Sequence, residues 1–313
     1  MHHFDSRDVA QALPYLSLIE ALAHGLQQPI EMPARSHFEP NHDASCVLVM
    51  PAWKSRELMG VKLVSIWPGN HAIGLPSVSG VYVLLSCVNG QPVAVMDGTE
   101  LTLRRTAAAA ALAARTLARR DSTTLAILGT GALSVPLAQA HASAMALEQI
   151  QVWGRDLGRA QAVAAQLQAL GLVASASADL QATLARADVV AAATTAVEPF
   201  IRAAWVQPGT HLGLVGAFTP HMAEAEPALM ARPQVQVFAD HRAAVLEKGG
   251  EVWQAVQQGL MPAAGIEADL AELVVPPMRA WRRDDAAITI FKSVGFASLD
   301  LIAAERVYQS RAA

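Results

Sequence analysis

The feature that most constrains this chain is a short apolar run, Leu125-Ala126-Ile127-Leu128, that breaks into Gly129-Thr130-Gly131-Ala132-Leu133-Ser134. A strand that ends in such a turn and enters a helix suits one ligand chemistry well. The first glycine permits the tight turn, the second lets backbone N–H groups reach a pyrophosphate, and the helix presents its positive end to the anion. Glycine pairs also occur in ordinary loops. Here, however, an uncharged helical stretch comes next, and the following strand, over 149–153, lies where a βαβ unit requires it. Ser134 stands where a third Gly or Ala usually tightens helix–sheet packing, and it leaves the turn itself intact. The turn is expected to bind a nicotinamide dinucleotide.

The texture around the turn agrees. Strands over 124–128, 149–153, 188–192, 210–215 and 235–239, with helices such as 160–170 between the first three, predict an α/β fold with a doubly wound parallel sheet. The earlier part reads as mixed α+β. A helix begins after Pro14, with Leu16, Ile19, Leu22, Ala23 and Leu26 at helical spacing. Strands over 47–50, 60–66, 78–88 and 93–96 come next, and Asn89-Gly90 and Asp97-Gly98 read as hairpin turns. An alanine-rich helix is expected over 103–119. A strand over 289–292 precedes a last amphipathic helix carrying Leu299, Ile302 and Val307. Its expected docking place is the first domain, which gives domains of 1–120 with 288–313 around an inserted 121–287.

Composition narrows the class. With 313 residues, 53% hydrophobic and 16% charged, the chain can bury a large core. A net charge of −4 offers no basic field for nucleic acid or an anionic membrane. No other charge appears between Asp121 and Glu148, a length that could span a bilayer. Gly129, Gly131, Pro136, Gln139 and His141 interrupt that stretch, so a buried strand and helix explain it better. Cys46 and Cys87 have no metal-type spacing and read as small buried hydrophobes in a reducing, cytoplasmic compartment. His2 and His3 read as tail. His211, His221 and His241 form no metal motif, so no metal is expected, and Asp240 reads as a cap for the helix after it.

The end of the second strand bears on the cofactor. An NAD enzyme usually carries an acid there for the ribose 2′-hydroxyl. This chain has Gly154-Arg155-Asp156, with an arginine suited to a 2′-phosphate, so NADP(H) is favoured over NAD(H); the alternative gives Asp156 the NAD role.

Upstream, Lys62 shares a strand face with Val64 and Ile66, where an apolar residue is expected. It reads equally well as an edge-strand lysine that blocks aggregation. Arg104-Arg105 at a helix start opposes the helix dipole and suggests an anionic partner. Arg35 alone reads as a loop residue.

Several segments succeed one another in a recognisable order: Met50-Pro51-Ala52, Gly60-Val61-Lys62-Leu63-Val64, Pro68-Gly69-Asn70, Gly74-Leu75-Pro76-Ser77, Asp97-Gly98-Thr99 and Arg105-Thr106-Ala107-Ala108. The Gly129-Thr130-Gly131 turn, Ala193-Thr194-Thr195, Val215-Gly216-Ala217 and Phe291-Lys292-Ser293-Val294-Gly295 complete the series. In this the chain resembles the ornithine cyclodeaminase/mu-crystallin family over nearly its whole length. The resemblance implies a Rossmann domain inserted in a discontinuous substrate-binding and dimerisation domain, an active site between them, and a homodimer. It implies that Lys62 contacts the substrate and that Arg105 and Arg35 hold its carboxylate, with Phe218 and Met50 in the pocket. It also implies cofactor contacts from Gly129, Thr130, Gly131, Ala132, Leu133, Gly154, Arg155, Thr194, Val215 and Gly295.

One position departs from the cyclising members, which carry an aspartate as general base two residues beyond Gly216. Here that position is Phe218, which cannot accept a proton. Gly216-Ala217-Phe218-Thr219-Pro220 resembles instead the branch that reduces cyclic ketimines. The expected activity is therefore NAD(P)H-dependent reduction of Δ1-pyrroline-2-carboxylate or Δ1-piperideine-2-carboxylate to L-proline or L-pipecolate. The alternatives are an ornithine cyclodeaminase, an L-amino-acid dehydrogenase, or a non-catalytic mu-crystallin-like binder of NADPH or another ligand.

Overall fold

A computed structural model describes residues 1–41, 45–276 and 280–311. The chain forms two compact units, Met1–Thr106 with Phe296–Ala313, and Ala107–Gly295. They part inside a long helix and before the last one, at 106/107 and 295/296, whereas the sequence suggested 120/121 and 287/288. The alanine run that looked like the end of one domain lies wholly in the other unit.

The first unit begins with β1 (His2–Phe4), α1 (Ser6–Ala12) and α2 (Tyr15–Gly25). Five strands come after them: β2 (Ser36–Phe38), β3 (Cys46–Trp53), β4 (Leu58–Ile66), β5 (Val78–Ser86) and β6 (Pro92–Asp97). They form one sheet in the order β1-β6-β5-β4-β3-β2, antiparallel except for the parallel β1–β6 edge. His2 and His3 are thus strand residues, not tail, and Phe4 beside them is buried. Asn89-Gly90 makes the expected hairpin turn, with Gly90 at φ +73°. Asp97-Gly98 does not: Asp97 Oδ1 accepts the Glu100 N–H at 2.7 Å and opens α3 (Gly98–Leu117), so Arg104 and Arg105 sit in its second turn, not at its start. Strand alternation puts Leu48, Met50, Ala52, Lys62, Val64, Tyr82, Leu84, Ala94 and Met96 on the buried face. On the helical face of α2, Leu18 is buried and Leu16 exposed, the reverse of the expected assignment for Leu16.

The second unit continues with β7 (Thr124–Leu128), α4 (Ser134–Ala144), β8 (Gln149–Trp153), α5 (Leu157–Ala169), β9 (Ala174–Ser177), α6 (Leu180–Arg186), β10 (Val189–Ala192) and β11 (His211–Leu214). Then come β12 (Val235–Ala239), α7 (Arg242–Lys248), α8 (Gly250–Gln257), β13 (Ile266–Asp269), α9 (Leu270–Leu273) and β14 (Ile288–Lys292). The sheet is wholly parallel, in the order β13-β12-β14-β11-β10-β7-β8-β9. From β7 the chain winds outward through β8 and β9, then returns to β10 on the other side. Ligands of doubly wound sheets bind outside the strand ends at that reversal. The uncharged stretch 121–148 is accounted for by β7 and α4, and among the described residues no helix is long and apolar enough to cross a membrane.

The chain closes with α10 (Ala297–Gln309), which packs on α2, β3 and β4 of the first unit, with Leu299, Ile302 and Val307 all buried. Cys46 and Cys87 are unpaired and half-buried, more exposed than expected. Removing the Phe4 ring by Phe4→Ala empties core volume beneath β1. It should cost about 3–5 kcal/mol, read as a lower urea midpoint at unchanged m-value.

Candidate active site and dinucleotide site

In the first unit the sheet carries Lys62 into its core. Its strand, β4, is interior to the sheet, so the edge-strand reading of this lysine is wrong. The ammonium is 2% exposed and lies 2.9 Å from each carboxylate oxygen of Asp300 on α10, donating a hydrogen bond to Oδ1. Arg105 reaches the same carboxylate from α3, its Nε 2.8 Å from Oδ1, in an ion pair that is not aligned as a hydrogen bond. Asp300 is fully buried. Such a carboxylate persists only where cations compensate its lost hydration. Thr102 Oγ1 stands 3.4 Å from Lys62 Nζ.

Two cations share this one carboxylate, so the cluster carries excess positive charge. Burial, then the Arg105 charge, push the Lys62 ammonium down to about 8; Asp300 opposes both, and the Arg35 charge adds to the lowering. Arg35, half-buried just before β2, is therefore electrostatically part of the group. Met50 is paired across the strands with Lys62 and is buried on the same face. Tyr82 faces Lys62 from β5, its hydroxyl held well above its ordinary range by burial and by the Asp300 and Glu305 charges. Lys62, Arg105, Arg35 and Met50 of this group are among the residues expected from sequence; Asp300 and Tyr82 are not. A signal for Asp300 existed: it is the one charge in the run Ala297-Ser298-Leu299-Asp300-Leu301-Ile302-Ala303-Ala304.

In the second unit, Gly129 ends β7 at φ +121°, and a Cβ there would lie 2.7 Å from the Ala193 carbonyl oxygen. Gly131 is different: no protein atom lies within 4 Å of where its Cβ would be. The fold itself does not require that glycine, but a close-approaching anion does. Beyond it, α4 starts at Leu133 with no side-chain cap, its first-turn amides left to a ligand or solvent. Thr130 and Ala132 complete the turn, which Ser134 Oγ braces by donating to the Gly129 carbonyl at 2.9 Å. These features fit a dinucleotide pyrophosphate. Gly154 packs against Thr130, and Arg155 is exposed. Asp156 caps α5 by accepting the Arg159 N–H at 3.1 Å, which commits one of its oxygens to the helix.

Thr194 lies just after β10 and Val215 just after β11. Gly295, at φ +75°, lies beyond the end of β14. Asp240 does not cap α7; His241 is the N-cap. Instead Asp240 Oδ2 accepts Ser293 Oγ at 2.8 Å, Val294 N at 2.9 Å and Gly295 N at 2.7 Å, fixing the turn that holds Gly295. Phe218 is half-buried in the turn after β11, packed on the core of this unit. His211 is buried, with Nδ1 2.9 Å from Thr289 Oγ1, and among the described residues no acidic, histidine or cysteine group is arranged to hold a metal ion.

The sequence profile described as the ornithine cyclodeaminase/mu-crystallin family matches residues 6–313. The chain belongs to that family. A Δ1-pyrroline-2-carboxylate reductase of Paracoccus denitrificans is 34% identical over 301 residues, covering 96% of this chain and 94% of that protein. Among solved structures, the Thermococcus litoralis Δ1-pyrroline-2-carboxylate reductase in complex with NADH and L-proline superimposes with a TM-score of 0.94 at 28% identity. That match covers 100% of this chain and 98% of the other. An archaeal alanine dehydrogenase dimer with bound NAD gives 0.91 at 26% identity, over 100% and 97% of the chains. As in these family members, the second unit is a Rossmann-type α/β sheet.

Asparagine at position 300 would keep the size of the side chain and remove the charge that opposes the lowering of Lys62. Asp300→Asn should therefore move the Lys62 ammonium below about 8, a shift readable by NMR titration of the labelled lysine. An unchanged titration would contradict the coupling.

Proposed function

We propose that this chain catalyses the NAD(P)H-dependent reduction of a cyclic imino acid, Δ1-pyrroline-2-carboxylate or Δ1-piperideine-2-carboxylate, to L-proline or L-pipecolate. The observation that carries it is the buried Lys62–Asp300–Arg105 cluster, which offers a proton and an anion-binding arginine together. The similarity to reductases of that substrate supports the same reading. The first unit is then the substrate-binding and dimerisation domain, and the second the dinucleotide domain.

Arg105 and Arg35 hold the substrate carboxylate and fix the ring's orientation, as charged fork-like donors do well. The turn of Gly129, Thr130 and Gly131 would hold a nicotinamide cofactor, which when bound would furnish the hydride for the imine carbon. Lys62 supplies the matching proton to the imine nitrogen, so that C=N becomes CH–NH with one hydride and one proton consumed. An ammonium held near about 8 is protonated at neutral pH yet releases its proton readily. Met50 and Phe218 give the pocket apolar surface suited to a carbon ring. The turn carrying Phe218 brings no carboxylate of its own to activate water, which disfavours cyclodeamination and amino-acid oxidation.

Lys62→Met should lower kcat/KM by about 10²–10⁴-fold. In the natural protein kcat/KM should fall as pH rises through about 8, because the donor form of Lys62 is lost there. A flat profile, or full activity in Lys62→Met, contradicts this role.

For the cofactor we favour NADP(H), with Arg155 meeting the 2′-phosphate and Arg159 one helical turn further on. Support for NAD(H) comes from the NADH and NAD bound by the Thermococcus and archaeal proteins. Arg155→Ala should raise KM for NADPH about tenfold and leave that for NADH nearly unchanged; equal effects on both would reject NADP(H) selectivity.

The assembly we propose is a homodimer formed through the outer face of the first unit's sheet. Strand alternation places Val47, Val49, Val61, Leu63, Val81, Val83, Val93 and Val95 there, all only half-buried or exposed in the single chain. The alanine dehydrogenase neighbour is a dimer, which is consistent. Val61→Glu should shift the protein to monomer in sedimentation, and a mutant still dimeric would point to another face.

A further inference from the structure

We infer that Glu224 is a positioning residue of the dinucleotide site, holding the turns after β10 and β11 together from beneath; this rests on the proposal that those turns line that site. Glu224 is fully buried and belongs to no helix or strand. Its Oε1 accepts two hydrogen bonds from Thr194, from N at 2.7 Å and from Oγ1 at 2.9 Å. Its Oε2 accepts the Gly216 N–H at 2.7 Å. A Cβ on Gly216 would fall 2.1 Å from the Thr194 carbonyl oxygen and 2.3 Å from its nitrogen, so the two turns touch backbone to backbone. The turn after β10 also abuts the first glycine, Gly129, through Ala193. One carboxylate thus ties together a surface running from the pyrophosphate turn across two further strand ends.

The carboxylate is itself anchored. The Glu224 N–H donates to Glu251 Oε2 on α8 at 3.2 Å, and Glu251 Oε1 takes the Lys292 ammonium of β14 at 2.8 Å, both partners being fully buried. Two acids therefore share one lysine in a site closed to bulk solvent. Burial raises Glu224 to about 7, Lys292 pulling it down and Glu251 pushing it up. Although that value would suit a general base, three protein donors already occupy its oxygens, so its task is geometric. The ionised form, acceptor-only at both oxygens, takes all three donors with no proton of its own among them. A proton on either oxygen would face an N–H or O–H donor and loosen one of the two turns.

The test measures NADH, whose ribose carries no titrating 2′-phosphate. Binding is followed by energy transfer from tryptophan, alongside kcat and KM, near pH 6 and pH 8. Glu224→Gln keeps the volume but turns an NH₂ donor toward donors. It should raise Kd and KM for NADH about tenfold and leave kcat at saturation within about threefold; the natural protein should bind NADH more weakly near pH 6 than near pH 8, and Glu224→Gln should abolish that difference. Thr194→Val removes one of the three donors and should fall between the two. Gly131→Val checks the underlying site and should block NADH. If Gly131→Val blocks binding while Glu224→Gln binds like the natural protein, the role given to Glu224 is overturned and the site stands. If Gly131→Val binds normally, the site itself is overturned. Should Glu224→Gln fail to fold, unchanged affinity in Thr194→Val with a flat natural pH profile overturns the inference equally.

Discussion

Asp300 accepts cations from two different elements in a place that water does not reach, and the first unit is organised around satisfying it. Lys62 comes from the interior of the sheet and Arg105 from the second turn of α3, while Asp300 itself belongs to the last helix of the chain. Removing Asp300 leaves two buried cations without their counter-charge, a cost of about 3–5 kcal/mol, whereas removing either cation leaves the other paired with it. The return of the C-terminal helix to the N-terminal sheet is thus coupled to the placement of the two cations that would meet the substrate. Stability and chemistry share one carboxylate here.

The second unit uses the same device for a different purpose. Asp240 and Glu224 are buried acids whose oxygens are taken up mainly by backbone N–H groups at strand ends. Loops at the carboxyl edge of a parallel sheet have no neighbours to complete their hydrogen bonding, and an internal carboxylate completes it while fixing their shape. Each acid fixes a turn that, in the proposed dinucleotide site, would form a wall: Asp240 under Ser293-Val294-Gly295, Glu224 under Thr194 and Gly216. Preorganised walls lower the ordering cost that a flexible dinucleotide imposes on binding.

Much of this was legible in the sequence. The β7 turn, the strands at 149–153 and 235–239, and the parallel winding could be read from apolar runs and glycine placement. Lys62 stood out because a charge on the buried face of a strand breaks the alternation. Pairing at long range stayed hidden. Nothing local says that Asp300 meets Lys62 across more than two hundred residues, or that Glu224 reaches two turns from an irregular loop. Asp97-Gly98 misled because the same dipeptide serves a hairpin or a helix start, depending on whether strand or helix residues come next. His2 and His3 misled because a three-residue parallel edge strand has no periodicity to display. The edge reading of Lys62 failed for a related reason: strand order is set by pairing partners, which a single strand's pattern does not contain.

The reaction proposed for this chain is hydride transfer to a cyclic imine held by its carboxylate. The most direct measurement tracks loss of reduced-nicotinamide absorbance with Δ1-pyrroline-2-carboxylate, beside ammonia release from L-ornithine under the same conditions. Stoichiometric oxidation of the cofactor with appearance of L-proline, and no ammonia from ornithine, is the predicted result. Ammonia release from ornithine with no turnover of the imine would contradict the account.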